Sequence, residues 1–266
     1  MNPFSVIKER RELLLNLTKR ELKIRYRGSV LGFLWTLLIP LFMAMIYVGF
    51  LRLLAGRGVP LAEIIIGVFA WQFTVQCVNS GLHSITGNVN LVKKVAVPRF
   101  IMPLASTLAN AVNYVLTLLV QFPLVLILLY MNDQTMSAWW PALPMVLVLH
   151  FTLNLAMALF MSASNVYFRD TEHLVNVGLT AFFFISPVMY NLTFVERTAS
   201  AVPWLMDVYL LNPVAVIITG YRSLLMPDVV FPWTASTMTA IAVCPLLMII
   251  AFRAFQRAQR NFADML

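Results

Sequence analysis

The ionisable and nucleophilic residues of this chain are few and poorly placed for catalysis. Its 266 residues include three histidines, two cysteines and 11 Asp plus Glu. General acid–base work needs such groups within hydrogen-bond reach of one another, and the sequence holds no cluster of carboxylates with histidine. His83 and His150 stand alone near the ends of apolar stretches, where a single imidazole is ordinarily a satisfied polar residue. Cys77 and Cys244 fall inside apolar runs without metal-ligand neighbours, which also argues against a structural disulfide. There is no G-x-x-x-x-G-K-[ST], so the chain has no P-loop of its own. If it moves something uphill, a separate subunit must supply the energy.

Three residue types remain that could handle a ligand. Eight basic residues precede Gly28 (Lys8, Arg10, Arg11, Lys19, Arg20, Lys23, Arg25, Arg27), and then no charge occurs from Gly28 to Leu51. Neutral amides recur inside apolar stretches: Gln72, Gln76, Asn79, Asn110, Asn113 and Asn154. They suit interhelical hydrogen bonds and equally suit a wet path for a neutral polar solute. Aromatic rings at Trp35, Phe42, Phe182, Phe183 and Phe184 would stack on sugar rings or pack against lipid. Consecutive residues on a helix face different ways, so one or two of the three phenylalanines can share a path.

The elements that must position these groups are membrane helices. Hydrophobic residues make up 61% and charged residues 11%, against ~25% charged in a soluble domain. Six uncharged stretches, at 30–51, 64–84, 104–130, 142–166, 174–194 and 231–252, are long enough for ~30 Å of hydrocarbon. They are apolar on both parities, which excludes a porin-like barrel and predicts an all-α integral membrane protein, one transmembrane domain over 1–266. An even number of crossings puts both termini on one side. That side collects 15 basic residues, the other only four (Arg52, Arg57, Arg197, Arg222), so both termini are expected in the cytoplasm. The basic region is too long and its apolar run too extended for a cleaved leader, so a retained anchor is expected. No ionisable residue lies centrally in any span, which argues against proton or sodium coupling.

Between the spans, residues 1–27 read as an interface helix with Val6, Leu13, Leu17 and Ile24 on its apolar face and Lys8, Lys19 and Lys23 opposite, broken by Arg20 and Leu22. It serves as a topology anchor or as a platform for an anionic headgroup. The basic loop at 85–99 has a helix-compatible piece after Asn88 and stops at Pro98. Trp139 and Trp140 beside Pro141 read as an outer interfacial belt. The turn Tyr167–His173 is short and charged. Residues 191–232 are broken by Pro203, Pro213, Pro227 and Pro232 into apolar pieces of roughly 200–211 and 213–226, each half long enough to span. Two re-entrant helices on the outer side are expected there, turning at Asn212-Pro213.

In order and spacing these signals resemble a family. Arg20 to Arg27 (RELKIRYR) is followed by Ser29, Leu31-Gly32 and Trp35 before Pro40. Then come Asn88 to Arg99 (NVNLVKKVAVPR), Phe168-Arg169-Asp170, Ser186-Pro187 with Tyr190, Leu211-Asn212-Pro213 and Tyr221-Arg222. Over nearly its full length the chain resembles the membrane subunit of ATP-binding cassette exporters for O-antigen, capsular and teichoic-acid polysaccharides, and its variant of the motifs is nearer the O-antigen branch. The resemblance implies a homodimer in the bacterial inner membrane with a channel between two six-span copies. It implies two copies of a nucleotide-binding ATPase carrying ATP and magnesium, with no cofactor and no catalytic residue in this chain. The cargo would be a polysaccharide on undecaprenyl pyrophosphate, and membrane lipids rather than nucleic acid would surround it.

The carrier would be admitted at Arg25, Tyr26 and Arg27, and Trp35, Phe42, Phe182, Phe183, Phe184 and Tyr190 would face the sugars. Asn88, Leu91, Lys93, Lys94, Pro98 and Arg99, with Arg169 and Asp170, would couple to the ATPase. Asn212, Pro213, Tyr221 and Arg222 would form a periplasmic gate. The alternatives are the same architecture exporting capsule, teichoic acid or a small molecule, a membrane-embedded transferase of lipid-linked sugars, and a passive channel. If the 88–99 loop docks an ATPase, Lys93→Glu with Lys94→Glu weakens co-purification of the two subunits while membrane insertion stays intact. Unchanged complex and unchanged transport would remove the loop from that role.

Overall fold

The computed structural model describes residues 3–55, 59–94, 98–199, 202 and 204–266, and every regular element among them is helical. In chain order these are α1 (Pro3–Glu9), α2 (Arg11–Tyr26), α3 (Leu34–Ala55), α4 (Leu61–His83), α5 (Val89–Lys94), α6 (Ile101–Tyr130) and α7 (Leu143–Tyr167). There follow α8 (Thr171–Ile185), α9 (Leu192–Ala199), α10 (Trp204–Tyr209), α11 (Pro213–Leu225), α12 (Ala235–Ala258) and α13 (Phe262–Met265).

The bundle is built around α4. Every residue from Ala62 to Trp71 is buried, as a helix apolar on all sides requires. Helices α3, α6, α7, α8 and α11 pack on it, and α12 packs on the far side of α7. Where α4 crosses α7 the backbones approach closely: a Cβ on Gly81 would lie 2.5 Å from Ala158 Cβ and 2.6 Å from its Cα. Near both chain ends a second core forms from Val6, Leu14, Ile85, Val92, Phe100, Phe255 and Phe262. It joins α1 and α2 to α5, the start of α6 and the end of α12.

Four helical segments are long and apolar enough to cross a bilayer: Leu61–His83, Ile101–Tyr130, Trp140–Tyr167 and Ala235–Asn261. They correspond to the second, third, fourth and sixth expected stretches. Of the other two, the first begins later than expected and the fifth is shorter. Gly28 (φ +76°) and Gly32 (φ +49°) adopt left-handed backbone, which glycine reaches without steric cost, so the first helix starts at Leu34 and runs 22 residues to Ala55. The expected 174–194 helix ends at Ile185, after 15 residues or ~22 Å. Ser186 precedes Pro187 and is extended (φ −105°, ψ 150°), because a following proline disfavours the helical region. The chain resumes as α9, an element the sequence reading did not separate.

Two further expectations need adjustment. Of the 200–211 piece, residues 200, 201 and 203 lie outside the described residues, and the described part holds only the six-residue α10. The 213–226 piece is α11, 13 residues long and buried at nearly every position from Val214 to Arg222. The amphipathic N-terminal stripe is also not continuous. Arg10 leaves the helical region between α1 and α2 (ψ 24°), which changes the phase: Val6, Leu14 and Thr18 are buried, whereas Ile24 is 52% exposed.

The α4–α7 contact has a direct test. Gly81→Ala forces a methyl into Ala158 and lowers stability by about 1–3 kcal/mol, read as a lower midpoint of thermal unfolding in detergent. Ala158→Gly in the same chain recovers only part, because the Ala158 backbone itself stands in the way.

Candidate functional site

Functional groups gather at two stations, one at each end of α4. The first lies where α2 meets the bundle. Arg25 projects from the last turn of α2, and its Nη1 donates to Gln76 Oε1 at 3.1 Å while Nη2 donates to Asn110 Oδ1. Asn110 Nδ2 in turn donates to Ser80 Oγ at 2.6 Å and to the Gln76 carbonyl at 3.2 Å. The guanidinium is therefore held by neutral amides from α4 and α6, which fix its direction without cancelling its charge. Next to it the Tyr26 hydroxyl pairs with Thr36 Oγ1 at 3.0 Å, and its ring meets Phe33 edge-on at 6.1 Å. The 28–33 loop is closed by Gly32 N donating to Ser29 Oγ at 3.0 Å.

These residues border a pocket of about 290 Å³, lined by Arg25, Tyr26, Ser29 and Thr36 together with Trp35, Gln72 and Gln76. A cation, an exposed indole face and a set of neutral amide and hydroxyl groups suit a ligand that combines an anion with a polyhydroxylated ring. The structure thus brings Arg25, Tyr26 and Trp35 together, while Arg27 is exposed and does not line the pocket. Gln72 and Gln76 were not singled out as a pair. Their spacing of four on an apolar helix, which puts both on one face, was the available signal.

The second station centres on Arg222, which is 2% exposed. Its Nε donates to the Glu63 carbonyl at 3.0 Å, Nη1 to the Tyr190 carbonyl at 2.7 Å and Nη2 to the Val188 carbonyl at 3.2 Å. Two of those carbonyls belong to the break after α8, where no helix supplies amide partners. Gly67 makes room for the clamp: a Cβ there would lie 2.8 Å from Arg222 Nη2 and would collide with the Val188 carbonyl. Asn212 caps α11 by accepting from Val214 N and Ala215 N at 3.0 and 3.4 Å, and its Nδ2 donates to Ser186 Oγ at 3.0 Å. The two Xaa-Pro motifs are therefore joined side chain to side chain. Tyr209 donates to the Tyr190 hydroxyl at 3.3 Å, which donates to the Phe184 carbonyl at 2.9 Å.

Tyr221 is 1% exposed and packs with His150 and Tyr114, ring centroids 5.7 and 6.0 Å away. With Arg222 it belongs to the core of this station, and Asn212 and Pro213 are half-buried at its edge. Of the aromatic set, Trp35, Phe42, Phe182 and Phe184 are exposed, whereas Phe183 turns inward onto Tyr47 and Trp71 at 5.6 and 5.8 Å.

In the 85–99 loop a 3-10 turn leads into α5. Arg20 Nη1 donates to Asn88 Oδ1 at 2.9 Å, and Asn88 Nδ2 donates to the Ser84 carbonyl at 2.9 Å. Leu91 is half-buried and Lys93 exposed, while the side chain of Lys94 lies outside the described residues. Arg99 Nη1 donates to the Gln259 carbonyl, and Pro98 is half-buried beside it. Arg169 and Asp170 are exposed in the α7–α8 turn.

The Arg222 clamp predicts a severe packing defect. Arg222→Met leaves three carbonyls without their donor, and at about 1–3 kcal/mol for each unpaired group unfolding should become easier by at least about 3 kcal/mol. Arg222→Lys recovers part of the loss, and Gly67→Ala destabilises by pressing a methyl against the guanidinium and the Val188 carbonyl. Denaturation in detergent reads all three.

The chain matches the ABC-2 type transporter family over residues 12–226, a segment that contains the Arg25 pocket and the Arg222 clamp. It is 31% identical over 265 residues to the O-antigen export system permease protein RfbA of Myxococcus xanthus, covering 96% of this chain and 95% of that one. An O-antigen export system permease protein RfbA of Klebsiella pneumoniae is 26% identical over 258 residues, with 96% and 95% covered. Matched over most of its length, and with its two polar stations inside the match, the chain belongs to the ABC-2 type transporter family.

Proposed function

We propose that this chain is the translocation subunit of an ATP-driven exporter that carries undecaprenyl-pyrophosphate-linked O-antigen polysaccharide across the bacterial inner membrane. The observation that carries this reading is the near-full-length similarity to two proteins named as O-antigen export permeases. The chemistry of the Arg25 pocket supports it. Arg25 offers a fixed positive charge for a diphosphate, Trp35 a ring face for the first sugar, and Gln72 and Gln76 amides for hydroxyl groups.

Two copies form the channel in this reading. Helices α3 and α8 complete six crossings, yet α8, at 15 residues, is too short to face lipid on every side. Both expose aromatic rings, Trp35 and Phe42 on α3 and Phe182 and Phe184 on α8. A second protomer against these faces shields the short α8 and lines a path with rings along which sugars slide. α11, with the broken segment before it, caps the path on the periplasmic side. Both termini and the α5 loop face the cytoplasm, where two copies of a nucleotide-binding subunit dock and hydrolyse ATP with magnesium.

Trp35 tests the path because it is exposed and its indole makes no hydrogen bond among the described residues. Trp35→Ala lowers surface polysaccharide severalfold at unchanged protein level, with lipid-linked chains accumulating inside the cell, and Trp35→Phe retains most export. Arg25→Gln reduces export by roughly tenfold or more, as expected for loss of a charge-assisted hydrogen bond of about 1.5–3 kcal/mol. Normal surface polysaccharide in both Trp35→Ala and Arg25→Gln would overturn the assignment of this pocket.

A further inference from the structure

A cavity of about 610 Å³ belongs to neither station. It lies where the end of α12 meets α1 and the start of α6, and its polar wall is Arg253, Gln256, Arg257 and Arg260 over a floor that includes Val6 and Phe100. Arg253 and Arg257, four residues apart, share one face of α12, and Arg260, in the 3-10 turn just beyond its end, lines the same cavity. All three are exposed, and among the described residues none forms an ion pair. The neighbouring Arg99 is committed elsewhere, donating to the Gln259 carbonyl with its guanidinium 6.0 Å from the Phe262 ring centroid.

The depth of the cavity follows from α12 itself. The helix is uncharged from Ala235 to Phe252, a length of ~27 Å that nearly fills the ~30 Å hydrocarbon layer. Arg253 therefore emerges at the hydrocarbon boundary, and Arg257 and Arg260 follow ~6 and ~10 Å further along the axis, at the level of lipid phosphates. A guanidinium fork matches phosphate oxygens bidentately, Gln256 can donate to a glycerol or ester oxygen, and Val6 with Phe100 offers apolar surface to the glycerol and first methylenes.

We propose that this cavity is a binding site for the headgroup of an anionic glycerophospholipid of the surrounding leaflet, one per protomer. The bound phosphate ties the end of α12 to α1 and to the segment that follows α5, so the lipid acts as a structural ligand of the base of the bundle. The inference rests on α12 crossing the membrane and is independent of what the protein exports.

The test is lipid retention by the purified protein in native mass spectrometry, with phosphatidylglycerol and phosphatidylcholine of equal chain length as probes. One phosphatidylglycerol per protomer should survive excess phosphatidylcholine. At a contribution of ~1 kcal/mol for each basic residue, Arg257→Gln should weaken retention by roughly fivefold, and the triple change Arg253→Gln, Arg257→Gln, Arg260→Gln by roughly 100-fold. The triple lysine variant should keep much of it, and Lys8→Gln with Arg10→Gln and Arg11→Gln should keep all of it. If the triple glutamine variant fails to fold, Arg257→Gln alone decides. Equal retention of the two lipids, or retention unchanged by Arg257→Gln and by the triple glutamine variant, would overturn the site. Displacement of the lipid by millimolar inorganic phosphate would assign it to a free anion instead. Loss of an ATPase partner with lipid retention unchanged would assign it to protein docking.

Discussion

A chain that runs through lipid has no water to satisfy its backbone, so every break in a helix must find its hydrogen bonds inside the protein. The break after α8 meets that constraint with a buried arginine. Val188 and Tyr190 have left the helix that would have paired their carbonyls, and Arg222 supplies three donors from α11 to those two and to the Glu63 carbonyl. Gly67 is glycine because the guanidinium and the Val188 carbonyl occupy the space of a side chain. Asn212 answers the same need at the start of α11, where it accepts from two amides and donates to Ser186. The described pieces between α8 and α11 are thus tied to α11 and α4 by side-chain hydrogen bonds. They are not a loose loop.

At the other end of α4 the same constraint is met differently. Arg25 is paired by Gln76 and Asn110, both neutral. Pairing with a carboxylate would have neutralised the charge, whereas pairing with amides leaves the guanidinium cationic and aims it. The contrast explains why one arginine is structural and the other can serve a ligand. Arg222 turns each of its three nitrogens to a carbonyl in a closed core, but Arg25 is exposed beside an open pocket.

How much of this was legible depended on how local the cause was. The four long helices follow from uninterrupted apolar length, and α11 follows from Asn212-Pro213 and Pro227 on either side of an apolar run. The early end of α8 was also written locally, in Ser186-Pro187, but the run of apolar residues beyond it masked the break. The phase shift at Arg10 had no strong marker, so the N-terminal stripe was extended too far, to Ile24. The pairings of Arg25 join residues 51 and 85 positions apart, and helix packing alone creates them. Nothing near Arg222 in the sequence says whether it meets water or carbonyls. The glycine at 67, on another helix, was the only trace of the clamp.

The two stations are mechanically one object because α4 joins them. At its C-terminal end, Ser84 accepts from Asn88, Asn88 accepts from Arg20, and Asn165 of α7 donates to the Leu82 carbonyl and to Thr86. These bonds tie the start of α5 to α2, α4 and α7 together. At its N-terminal end, α4 presents the Glu63 carbonyl and Gly67 to Arg222. Between the ends lie 23 residues of helix, ~34 Å, buried at every position from Ala62 to Trp71 and so resistant to bending there. Movement of this post along or about its axis must shift the Arg25 partners at one end and the seat of the α8 break at the other.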